Sequence, residues 1–162
     1  MKTFKYVLSK ALPLAQMSEA EIKELWKQAR SLGRGKVFVE IGTLNGGSVL
    51  VLDSVGANVY TIDRNKVELP LGTFNVIIGE STEVAQSWKL GIDLLFIDAD
   101  HSFEAVEDDI KAWLPHVVPQ GIILFHDYDS HRGVTLAVHE AIENKLIQPL
   151  KLSGSLLVTR KT

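Results

Sequence analysis

Six side chains able to hold a metal ion or to move a proton stand in two short stretches of this chain. Asp98, Asp100 and His101 follow the apolar run Asp93-Leu94-Leu95-Phe96-Ile97, while His126, Asp127 and His131 follow Gly121-Ile122-Ile123-Leu124-Phe125. Carboxylate oxygens suit hard cations and imidazole nitrogens suit softer ones. Neutral imidazole is also available to take a proton near pH 7, which makes His101 and His126 candidate general bases. Each residue has a plainer alternative. Asp98 could only position a ligand, His126 could be bonded to its own loop, and His101 could be a residue near a helix start.

A second group surrounds the glycines of Glu40-Ile41-Gly42-Thr43-Leu44-Asn45-Gly46-Gly47-Ser48. Glycines let a ligand approach the backbone, and a helix start after them offers unpaired N–H groups. Asp63 stands 21 residues after Gly42, about where an acid accepts hydrogen bonds from ribose hydroxyls. A dinucleotide site normally shows G-x-G-x-x-G against a pyrophosphate. Here Thr43 to Asn45 separate the glycines, and Glu40 puts a carboxylate where a pyrophosphate would be repelled. A cationic ligand fits better, and S-adenosylmethionine carries both an ammonium and a sulfonium. The plain alternative is a tight strand-to-helix turn and nothing more.

The elements that must position these residues are legible as alternating apolar runs and amphipathic helices. Strands are expected at Val37–Ile41, Asn58–Ile62, Phe74–Ile78, Asp93–Ile97, Gly121–Phe125 and Ser155–Thr159. Helices are expected from the Ser18-x-x-Glu21 capping box to Leu32, from Gly47 to Val55, from Ser81 to Trp88, from Ser102 through Leu114, and from Gly133 to Leu146. That order predicts an α/β fold with a doubly wound, mainly parallel sheet of the seven-stranded type, covered by helices on both faces. In such sheets ligands bind beyond the carboxyl ends of the strands, where Glu40, Asp63, Glu80, Asp98, His126 and Asp127 all fall. Only ten residues separate Asp63 from Phe74, and they include Pro70 and Gly72. The helix between strands two and three is therefore expected to be shortened or absent. The 162 residues read as one domain, with residues 1–35 a helical segment and 36–162 the ligand-binding core.

Composition removes several classes of function. A net charge of -3 and no basic run argue against nucleic acid or a membrane surface as partner. The absence of cysteine excludes disulfides and thiolate chemistry. No apolar run is long enough for a membrane span, and the first residues do not form a secretory signal, so a cytoplasmic location is expected. Trp26, Trp88 and Trp113 sit on apolar helical faces and read as core, and Glu107-Asp108-Asp109 reads as a solvated helix face. His116 and His139 read as surface residues.

The stretch from Val37 to Asp63 resembles the cofactor motif and following acidic strand end of the class I S-adenosylmethionine-dependent methyltransferases. Ile92 to Phe103 and Pro119 to Tyr128 resemble a branch of small O-methyltransferases similar to the metal-dependent catechol and caffeoyl-CoA type. The resemblance covers the chain from about residue 18 onward. It implies that Glu40 and Gly42 hold the methionine end of the cofactor, with Thr43, Gly46 and Ser48 lining the turn. It implies Asp63 on the ribose, Arg64, Glu80 and Ser81 around the adenine, and Asp98 beside the transferred methyl. It also implies a divalent metal on Asp98, His126 and Asp127. The usual pair at the last two positions is Asp-Asn, and an imidazole there favours manganese or a similar ion over magnesium. Catalysis would fall to Asp98, His101 and His126 around the hydroxyl of a small-molecule methyl acceptor. Self-association into a homo-oligomer is left open. The rival readings are an NAD-dependent oxidoreductase, a non-catalytic binding module that keeps the methyltransferase fold, and aminopropyl transfer.

Overall fold

The computed structural model describes residues 2–162. Its elements run α1 (Phe4–Ala11), α2 (Glu19–Leu32), β1 (Val37–Ile41), α3 (Gly47–Asp53), β2 (Asn58–Asp63), β3 (Asn75–Ile78), α4 (Ser81–Ser87), β4 (Ile92–Ile97), α5 (Phe103–Trp113), β5 (Val117–Phe125), α6 (Arg132–Glu143), β6 (Ile147–Ser153) and β7 (Leu156–Lys161). The seven strands make one sheet in the order β3-β2-β1-β4-β5-β7-β6. The first five in that order are parallel, and β7 is antiparallel to both β5 and β6.

The central strands are apolar on both faces because helices cover both. Val39, Ile41, Leu95, Ile97, Ile123 and Phe125 pack with α4, α5 and α6. Their alternating neighbours Phe38, Leu94, Phe96, Ile122 and Leu124 pack with α1, α2 and α3, as the period of two along a strand requires. Trp113 is fully buried and Trp26 and Trp88 nearly so, which bears out their reading as core. No helix among the described residues is long and apolar enough to cross a membrane.

The expected loss of the helix between β2 and β3 is observed: residues 64–74 hold only bends and irregular chain. Two elements differ from expectation. β5 begins at Val117, four residues early. β6 has no counterpart in the sequence reading, because an edge strand with six of its seven residues at least partly exposed shows no apolar pattern. It also contains Pro149, where the pairing with β7 shifts register, a position an edge strand tolerates. The acidic run on α5 is corrected too. Asp109 is buried, because it shares the inward stripe Val106, Asp109, Ile110 and Trp113 at helical spacing.

Candidate active site

A cavity of about 340 Å³ opens at the carboxyl ends of the parallel strands, where the topology switches between β1 and β4. Gly42, Thr43, Ser48, Asp63 and Arg64 form one part of its wall, and Ser81, Asp98, His101, His126 and Asp127 another. Glu40, Gly46 and Glu80 were expected at the site but are not on the wall. Several contributors went unforeseen, Asn65, Gly79 and Ala99 among them. The segment Leu14 to Met17 between α1 and α2 lines the cavity, with Ala15 lying against Gly47, and Asp109 lines its far side.

The glycine turn is shaped by contact between strand ends. Gly42 has φ +88°, and a Cβ there would sit 2.0 Å from the Asp98 carbonyl oxygen. Only glycine lets β1 end this close to β4. Asp63 fixes the turn from the other side. Its Oδ2 accepts the N–H groups of Thr43 (3.1 Å) and Leu44 (3.4 Å), and its Oδ1 accepts that of Asn65 (2.8 Å). A carboxylate has about four acceptor positions, so one remains for a ligand hydroxyl.

Glu40 lies beneath this turn with no solvent exposure. Its Oε2 accepts from Thr61 Oγ1 at 2.6 Å, and Thr61 in turn meets Thr43 Oγ1 at 2.5 Å. Oε1 has no partner. Burial raises the Glu40 pKa to about 8 against the pull of nearby hydroxyls. A buried acceptor without a partner costs about 1–3 kcal/mol, and a cation reaching it would remove that cost.

At the opposite end, Ser81 Oγ donates to Asp109 and accepts from Trp113 Nε1 at 2.7 Å. Burial raises the Asp109 pKa to about 6. The side chain predicted beside an adenine is thus already engaged with the core.

The acids and imidazoles do converge. His126 Nδ1 lies 3.1 Å from Asp98 Oδ1 and 3.1 Å from Asp127 Oδ2. Ligand atoms of Asp98, His126 and Asp127 all lie within 4.8 Å of one another, the spacing a small rearrangement closes around one ion. A mixed oxygen and nitrogen donor set fits a transition ion such as manganese.

His126 corrects one expectation. Burial alone lowers its pKa, but the hydrogen bond and charge of Asp98, with the charges of Asp127 and Glu21, raise it to about 9. At neutral pH it is an imidazolium and has no lone pair for a general base. Its other nitrogen, Nε2, faces Ser155 Oγ at 3.5 Å and Glu21 Oε1 at 3.8 Å. Asp127 itself holds φ +56°, a left-handed conformation that aspartate tolerates better than most residues.

Glu21 went unforeseen as a site residue because the capping box fully accounted for it. Its Oε2 accepts the backbone N–H and hydroxyl of Ser18, and its Oε1 accepts those of Ser155. Burial would raise its pKa, and these bonds instead hold it at about 2. A depressed carboxylate stabilises the fold in full above its unfolded pKa, near 4.5, and loses that contribution as pH falls through 2. Glu21→Gln is therefore expected to cost about 1–2 kcal/mol at pH 6 and much less at pH 2.5. Urea unfolding at the two pH values checks this, and an equal loss at both would contradict it.

Residues 39–128 match the family model described as a methyltransferase domain. The chain belongs to that family. The chain is also 29% identical, over 117 residues, to an uncharacterised protein of Acanthamoeba polyphaga mimivirus, covering 59% of this chain and 52% of that one. Among solved structures it is similar to the MycE methyltransferase of the mycinamycin biosynthetic pathway, in complex with Mg, SAH and mycinamycin VI. That match has a TM-score of 0.77 and 16% identity, and covers 99% of this chain and 54% of MycE. It is similar as well to the O-methyltransferase NovP (TM-score 0.74, 14% identity, 91% and 82% covered) and to a Bacillus cereus O-methyltransferase in complex with SAH (0.66, 16%, 100% and 92%). The chain spans about half the length of the mimivirus relative and of MycE. The family match decides against the NAD-dependent alternative.

Proposed function

We propose that this methyltransferase moves the methyl group of S-adenosylmethionine to an oxygen of a small-molecule acceptor. The observation that carries the reading is the buried, partnerless Glu40 Oε1 beneath a glycine turn that Asp63 holds open. In this reading Asp63, on the cavity wall, takes the ribose hydroxyls, and Glu40, sealed beneath the turn and protonated near neutral pH, gives up its proton as the ammonium approaches.

S-adenosylmethionine supplies an electrophilic methyl on a sulfonium, so the protein has little covalent chemistry to do. Its contribution is orientation and exclusion of water. Gly42, Thr43 and Ser48 bind along the turn, and Leu14 to Met17 shield the cavity from the side of α1 and α2. Asp98 stands where the methyl would emerge and orients the acceptor oxygen. A divalent ion on Asp98, His126 and Asp127 would lower the pKa of an acceptor hydroxyl. Without a metal, the acceptor's proton goes to the Asp98 or Asp127 carboxylate, because His126 already carries one; an ion on these residues would first displace that His126 proton. The net charge of -3 supports a small-molecule partner over nucleic acid.

Calorimetry with S-adenosylhomocysteine tests the reading. Wild-type protein is expected to bind at micromolar scale, and Asp63→Ala to weaken binding by about 1.5–3 kcal/mol, the range of a hydrogen bond to a charged group. A folded wild-type protein that gives no heat overturns the cofactor assignment. Binding without S-adenosylhomocysteine formation across an acceptor panel would favour the non-catalytic module.

A further inference from the structure

We propose that His101, Asp127 and His131 form a transition-metal site of their own, separate from the group of Asp98 and His126 and joined to it through Asp127. The two oxygens of Asp127 face different partners. Oδ2 lies 3.1 Å from both His126 Nδ1 and His101 Nε2, while Oδ1 lies 3.6 Å from His131 Nδ1 and accepts from Ser130 Oγ at 2.7 Å. One ligand atom from each of His101, Asp127 and His131 falls within 4.8 Å of the other two. Metal bonds of about 2.0–2.2 Å put ligand atoms about 3–3.5 Å apart around one ion. The separations are within reach of one ion, but the stacked rings hold their in-plane lone pairs side by side, so binding turns at least one ring out of the stack about χ2.

Three features make this a built arrangement. The two imidazoles come from different loops, after β4 and after β5, yet their rings stack with centroids 4.1 Å apart and planes 25° from parallel. The loops are locked together at Gly133, where a Cβ would stand 2.2 Å from the His101 carbonyl oxygen and 2.6 Å from Phe103 N. The His131 N–H donates to the Asp127 carbonyl at 3.0 Å, which closes the turn that brings residue 131 back over residue 127.

Two imidazoles and one carboxylate are the ligand set of open transition-metal sites, those of iron(II), zinc, cobalt or manganese, and not of magnesium. The His101 and His131 side chains are 38% and 47% exposed. Room therefore remains for water or an oxygen ligand on the same ion. His101 and Asp127 line the cavity, so an ion held here would border the acceptor space. The site needs neither the glycine turn nor Glu40, and so does not depend on the cofactor reading.

Cobalt(II) is the probe, added alone to the full chain and followed by its visible absorption. Wild-type protein is expected to take up two ions, and Asp98→Asn to retain one. In the Asp98→Asn background, His131→Ala and His101→Ala are each expected to weaken the remaining ion at least tenfold. His131→Gln, which keeps volume but not the ring nitrogen, should behave like His131→Ala. Circular dichroism and S-adenosylhomocysteine calorimetry on the same samples report folding and the cofactor reading separately. Cobalt affinity unchanged by both histidine variants, or a single ion lost entirely with Asp98→Asn, overturns the proposal.

Discussion

Gly42→Ala is expected to lose about 3–5 kcal/mol of stability and S-adenosylhomocysteine binding by more than 100-fold. Two costs add at this position. Alanine would be forced to φ +88°, a strained conformation worth about 1–3 kcal/mol. Its Cβ would also meet the Asp98 carbonyl at 2.0 Å, and backbone cannot swing aside as a flexible side chain can, so overpacking adds about 1–3 kcal/mol. The strands must part, which displaces both the turn and Asp98. Gly35→Ala separates the two costs, because Gly35 has φ +74° and open space where its Cβ would stand. It should lose only the conformational part. Urea unfolding of both variants decides the matter. Equal losses for the two would mean that contact with β4 contributes nothing, and a Gly42→Ala protein within 1 kcal/mol of wild type would refute the argument.

The second large effect concerns His126 in the chain without added metal. Its pKa is raised from an ordinary value near 6.5 to about 9. A raised imidazole contributes stability that is complete below its unfolded pKa and disappears as pH rises through its folded pKa. The window is therefore pH 6.5 to 9. The shift corresponds to about 3 kcal/mol at 1.36 kcal/mol per pH unit. Asp98 and Asp127 are 23% and 19% exposed, so solvent screening reduces this to about 2–3 kcal/mol. With chelator present, wild-type protein is expected to lose about 2–3 kcal/mol more than His126→Gln between pH 6.5 and 9.5, because Glu40, whose pKa is about 8, titrates in both proteins. Lysines and tyrosines titrate in both proteins, so the difference between them isolates the imidazole. Parallel pH curves would show that His126 is neutral in the fold.

What the sequence determined by itself was the architecture and the address of the site. Continuous apolar runs alternating with amphipathic helices leave few options but a parallel sheet covered on both faces, and strand ends are local enough to read. The ten residues between Asp63 and Phe74, broken by Pro70 and Gly72, sufficed to show that no helix joins β2 to β3. The family motifs singled out Gly42, Asp63, Asp98 and Asp127, and all four line one cavity. Asp109 was legible and overlooked: it occupies an inward position of the stripe that holds Val106, Ile110 and Trp113.

Tertiary structure alone decided the electrostatics and the distant partners. Nothing near Glu40 in sequence shows that it is sealed under the turn with one oxygen unpartnered, since that depends on Thr61 and on the packing of α3. Nothing near His126 announces the charge of Glu21, more than one hundred residues earlier, or the loss of its role as a base. A pKa is set by every group within a few ångströms and by how much water reaches it, and both follow from chain crossings that no local pattern encodes. The pairing of His101 with His131 across two loops has the same origin. Types and spacing name the residues able to do chemistry; proximity and burial decide which protonation state and which partner each of them has.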